Sequence, residues 1–108
     1  MVRNEAIPAA SALMESVIPE GRNSGKIYRL AQPIIVSVFC DDAIFYCESK
    51  PLSILSFGHT QDEARRAFNE DFAMMWDEIA LSPDDNLTPD AKVVKDRLLA
   101  LVSSVVLE

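Results

Sequence analysis

An α+β fold is predicted: an antiparallel sheet of three to five strands, a long amphipathic helix across one face, and a second C-terminal helix. Three features predict it. Two β-branched and aromatic runs, residues 34–40 and 43–49, flank the pair Asp41-Asp42. A helix-capping pattern begins at Thr60, and behind it and again behind Thr88 apolar residues recur at helical spacing.

Residues 1–10 carry Arg3, Glu5 and Pro8, which predicts a loosely held start. Residues 11–18 suit a strand or a short helix, because Ala12, Leu13, Met14, Val17 and Ile18 fit either period. Residues 19–25 combine proline, glycine, asparagine and serine and read as a loop. Ile27, Tyr28 and Leu30 then resume a strand pattern over 26–31.

Pro33 has no amide to donate and suits the start of the next strand. Aspartate tolerates a left-handed backbone, so Asp41-Asp42 predicts a tight hairpin turn. With Cys40 opposite Ala43, Val36 falls opposite Cys47. One face then reads Ile34, Val36, Val38, Cys40, Ala43, Phe45, Cys47, which is the core side. The other face carries Ile35, Ser37, Phe39, Ile44, Tyr46 and Glu48. Its apolar members must lie under the N-terminal segment or meet a partner. Residues 53–57, after Pro51, read as a further strand.

Gly58-His59 leads into the first helix, predicted over 60–81. Thr60-Gln61-Asp62-Glu63 is a capping box, and Asp62 and Glu63 complement the positive end of the helix dipole. Ala64, Phe68, Phe72, Met75 and Ile79 follow as one stripe. A second helix is predicted over 88–105, with Thr88 as cap, Pro89 at the first helical position, and a stripe of Ala91, Val94, Leu98, Leu101 and Val105.

The 108 residues make one domain, residues 1–108, without internal repeats. Ten basic residues against seventeen acidic ones give a net charge of −7 and a pI near 4.6. Arg65-Arg66 and the Lys92, Lys95, Arg97 group stand among carboxylates on helices, so they read as solvated faces and not as a phosphate-binding stripe. Direct nucleic-acid binding is not expected. The apolar stretch at the start is broken by Glu5, Pro8 and Glu15, and no window approaches the ~20 apolar residues of a membrane span. A cytoplasmic protein is expected.

No catalytic constellation emerges. In the hairpin register above, Cys40 and Cys47 sit four residues apart along neighbouring strands, roughly 13 Å at strand rise, so two buried thiols are expected and not a disulfide. His59 is the one histidine and reads as a turn residue. Neighbouring carboxylates at Asp41-Asp42 and Asp84-Asp85 diverge and make no acid–base dyad. A calcium loop opening at Asp84 fails, because Pro89 stands at its sixth position and Lys95 at its twelfth. No metal, no cofactor and no enzymatic activity are therefore expected.

The run Pro51-Leu52-Ser53-Ile54, the junction Phe57-Gly58-His59-Thr60-Gln61-Asp62-Glu63-Ala64, and Leu87-Thr88-Pro89-Asp90-Ala91 resemble the HicB-like antitoxin group of small bacterial proteins. The resemblance covers a little under half of the chain closely. It implies a non-enzymatic interaction module that covers a small basic ribonuclease toxin. Relatives that repress their own operon carry a DNA-binding module, and nothing basic enough for one follows Thr88, which places this chain with relatives lacking it. The candidate contact residues are Ile35, Phe39, Ile44 and Tyr46 on the sheet, with Leu98 and Leu101 on the second helix. The partner is a protein or a second copy of the chain; the alternative to an antitoxin is a structural or regulatory homodimer.

Overall fold

The computed structural model describes residues 14–108; the expectations for residues 1–10 and 11–13 lie outside them. Five strands form one antiparallel sheet: β1 (Met14–Asn23), β2 (Lys26–Asp41), β3 (Ile44–Ser49), β4 (Ile54–Gly58) and β5 (Val102–Leu107). Helix α1 (Gln61–Met75) continues through a π-helical turn, Trp76–Ala80, and α2 spans Pro89–Leu101. The α+β class with its long first helix stands.

Strand β2 organises the sheet. Its second half pairs with β1 on one side and β3 on the other, and its first half pairs with β1 and β5. Between the pairs Ile18–Ile34 and Glu20–Arg29, β1 has Pro19 alone whereas β2 has residues 30–33. Two prolines, Pro19 and Pro33, lie in this irregular stretch, where absent amide donors cost no ladder hydrogen bond. Pro33 is thus inside a strand and does not begin one.

Three boundaries differ from the expectations. Residues 19–23 are strand, because a two-residue turn at Ser24-Gly25, with φ of 51° and 80°, is enough to reverse the chain. The second hairpin turns on Asp42-Ala43, with φ of 51° and 63°, so Asp41 stays extended and pairs with Ile44. Cys47 therefore opposes Val38, not Val36. The partner moves by two residues, an even step, so the strand side chains keep the faces foreseen for them. Ala43, expected on the core face, is instead an exposed turn residue. The second helix ends at Leu101, and residues 102–105, expected to be helical, are strand. Val102, Val105 and Val106 are β-branched, and the free edge of β2 offers them ladder partners, from Lys26–Leu107 to Leu30–Val102.

The core lies between the inner sheet face and α1. Val36, Val38, Cys47 and Ile54 from the sheet meet Ala64, Phe68 and Phe72 from the helix, all buried. Tyr28 stands edge-on to Phe72, ring centroids 5.5 Å apart, and sits 6.4 Å from Trp76. Leu98 of α2 is wholly buried. The start of α1 is set by close approach as well as by capping. A Cβ on Gly58 would lie 2.6 Å from Glu63 Cβ and 2.8 Å from the Ala64 amide nitrogen, so only glycine lets the strand end pass beneath the first helical turn. Thr60 Oγ1 accepts from the Glu63 amide at 3.1 Å. Glu63 Oε1 in turn accepts from the His59 amide at 3.0 Å, one residue earlier than an ordinary capping box reaches.

Candidate functional site: the open face of the sheet

Strand alternation that fills the core with one set of residues must present the other set elsewhere. The registers of β1–β4 place those residues in rows across the outer face. Phe39, Tyr46 and Phe57 form one row. Glu15, Ser37, Glu48 and Leu55 form the next, and Val17 pairs with Ile35 beyond it. On the far side of the aromatic row Asp41 pairs with Ile44.

The aromatic row is a continuous structure. Phe39 and Tyr46 stack at 4.9 Å with their planes 14° apart, and Tyr46 meets Phe57 at 6.3 Å. Cross-strand aromatic pairs of this kind contribute about 0.5–1.5 kcal/mol each beyond their buried area. Around them the surface is open: Phe57 is 64% exposed and Ile35 63%, and Val17 and Leu55 each expose about half their surface. No helix of the described residues crosses this side; α1 packs against the opposite face. The charged residues in these rows are Glu15, Asp41 and Glu48, with no basic side chain among them. No ion pair joins these carboxylates to another described residue.

Of the contact residues expected from sequence, Ile35, Phe39, Ile44 and Tyr46 share this face. Leu98 and Leu101 do not. Leu98 is a core residue with no exposed surface, because α2 turns its stripe inward, and it cannot be offered to a partner as the sequence reading had it. Leu101 is half-buried and lines a cleft of about 680 Å³ that it shares with Val17 and Ile35 at the margin of the outer face, with Pro51-Leu52, and with Arg97 of α2. Val17, Leu55 and Phe57 complete the face and escaped the sequence reading. The alternation of 54–58 carried the signal for the last two: Ile54 and Ser56 are buried, while Leu55 and Phe57 are exposed.

The remaining candidate chemistry disperses. His59 is exposed on its turn and lies outside the cleft. Asp84 accepts a hydrogen bond from Lys95 Nζ at 2.9 Å, which holds its carboxyl below the usual aspartate range. Cys40 and Cys47 are both free thiols, two residues out of register across the hairpin and so on the order of 7 Å apart. That is closer than the sequence register implied and still beyond disulfide reach. Burial pushes the Cys47 thiol up, with nearby Arg65 opposing. Arg65, expected to be wet, instead donates to Ser16 Oγ at 2.6 Å and to the Val17 carbonyl at 2.9 Å, pinning the edge strand β1 to α1. Among the described residues no group of three metal-ligating side chains gathers, and no helix is long and apolar enough to cross a membrane.

No family model matches the chain, and no curated protein or solved structure is significantly similar to it.

Proposed function

We propose that this protein is a non-enzymatic interaction module of antitoxin type, cytoplasmic, whose outer sheet face covers a small basic protein. The observation that carries this reading is the row of side chains on that face, apolar at its centre and exclusively acidic where charged. An exposed apolar patch of this extent is costly for a monomer to carry without a use. Complementary charge would steer a basic partner onto it and reject acidic ones. The HicB-like resemblance of the strand-to-helix junction at Gly58–Thr60 is consistent with that role.

The test is co-expression. A small basic protein encoded beside this chain should arrest growth when expressed alone, co-purify with this chain, and be tolerated when the two are made together. If the neighbouring frame encodes no such protein, or the pair fails to associate, the antitoxin reading falls.

A second reading is a structural or regulatory homodimer, favoured by β4. It is an edge of the sheet, with Leu55 and Phe57 exposed along it, and could pair with the same strand of a second copy. Light scattering would then report twice the 12.0 kDa chain mass. A charge at the fully buried Leu98 would unfold the core, so Leu55→Lys is the appropriate probe.

A further inference from the structure

The interaction reading leaves open which side chains of a basic partner the outer face would take, and the rows of the sheet answer that more narrowly. Resting on that reading, we infer that the row Phe39–Tyr46–Phe57, bracketed by Glu48 and Asp41, is a binding site for arginine side chains of the partner.

A guanidinium is planar, weakly hydrated, and able to lie on an aromatic ring while its edge donates to carboxylates; an ammonium is a compact, strongly hydrated point charge. The outer face supplies both elements at matching spacing. Glu48 stands two residues from Tyr46 along β3, on the same face and roughly 7 Å away at strand rise. Asp41 stands two residues from Phe39 on the other side of the row. Each carboxylate is therefore within reach of the edge of a guanidinium that rests on the neighbouring ring. Phe57 ends the row at the sheet edge and is the most open of its three rings, the natural entry point for a long side chain. The hydrocarbon stem of the arginine would cover Leu55 or Ile44, the apolar neighbours on either side.

Two rival occupants meet physical obstacles. A second copy would bring Glu15, Asp41 and Glu48 against the same three carboxylates, in a chain already at −7. An acidic peptide or a phosphate backbone meets the same repulsion.

The probe is a set of eight-residue peptides alternating valine with arginine, lysine or citrulline, titrated into the full-length protein labelled with nitrogen-15. The arginine peptide should shift the amides around Phe39, Tyr46 and Phe57. It should bind at least fivefold more tightly than the lysine peptide, and the neutral citrulline peptide should bind more weakly still. Tyr46→Ser should weaken the arginine peptide tenfold or more. Glu48→Gln, which leaves the aromatic row intact, should remove most of the preference over citrulline and flatten the salt dependence. Equal binding of arginine and lysine peptides would overturn the inference, as would shifts confined to the cleft beside Leu101. Contacts from residues 1–13 to the Tyr46 ring that persist at saturating peptide would overturn it too, as would a dimer that Tyr46→Ser dissociates. Failure of the two readings is separable: a co-expressed basic partner whose affinity ignores Tyr46→Ser overturns the arginine site and leaves the interaction module standing.

Discussion

The two faces of the sheet between β1 and β4 are built from the same strands by the same alternation, yet they do opposite things. The inner face carries Val36, Val38, Cys47 and Ile54 and disappears beneath α1. The outer face carries Ile35, Leu55 and Phe57, which are open to water, with Phe39 and Tyr46 half-buried against each other between them. Apolar content alone does not separate them, since both carry large apolar side chains, although the outer face mixes in Glu15, Ser37, Asp41 and Glu48. What separates them is which side the helix lies on, and that follows from the junction at Gly58–Thr60. Apolar character on the inner face stabilises the fold; on the outer face no helix of the described residues covers it.

This contrast can be broken or sharpened by substitution. The largest effect belongs to the inner side: Phe72→Ala, which removes a buried ring between Tyr28 and the sheet, should cost about 3–5 kcal/mol in urea unfolding. A cost below 1 kcal/mol would mean that the helix is not seated on that face. Gly58→Ala comes next, at about 1–3 kcal/mol, because its methyl group meets the backbone of Glu63 and Ala64 and not a yielding side chain. Differential scanning calorimetry reads it directly, with Ser53→Gly as a control at a strained turn that should move the other way.

A pH titration gives a smaller signal of the same asymmetry. Burial, and then the charge of Asp77, raise the phenol of Tyr28, and burial raises the thiol of Cys47. Both groups are neutral when protonated, and unfolding releases them to ionise at ordinary values, roughly 8.5 for the thiol and 10 for the phenol. Their contribution is complete below those values and is lost as pH rises through the raised native ones. Chemical denaturation should therefore show stability declining above about pH 8.5, and Tyr28→Phe should flatten the more alkaline part. The smallest effect belongs to the outer face: Ile35→Ser should change stability by no more than about 0.5 kcal/mol, despite exchanging a large apolar residue for a polar one. A larger loss would mean that something in the free protein already covers that face.

Much of this contrast could be read in the sequence. The strict alternation over 34–40 and 43–49 defined both faces, and the even size of the register error left them intact. The cap at Thr60 and the stripe through Phe68 and Phe72 located α1 and its buried side. What stayed hidden depended on distant pairing. Residues 102–105 continue a helical stripe as well as they form a strand, and only the free edge of β2, far away in sequence, decides between them. Leu98 and Leu101 were likewise indistinguishable by period, because which flank of α2 turns inward depends on the helix it meets. The turn at Asp42-Ala43 was displaced by one residue, since an alanine at φ of 63° is not what residue preference favours.

The pairing of β5 with β2 has one more consequence. Ser103 Oγ donates to the carbonyl of Arg29, 74 positions earlier in the chain, and the ladder on either side of it spans similar separations. Loop closure over such a distance comes late and slows folding. A ribosome therefore exposes the first half of β2 with one edge bare while some seventy further residues emerge, long after the hairpin with β1 can form. During that interval the bare edge is the part of the nascent chain most open to mispairing, and the speed of translation through α1 and α2 sets how long the exposure lasts.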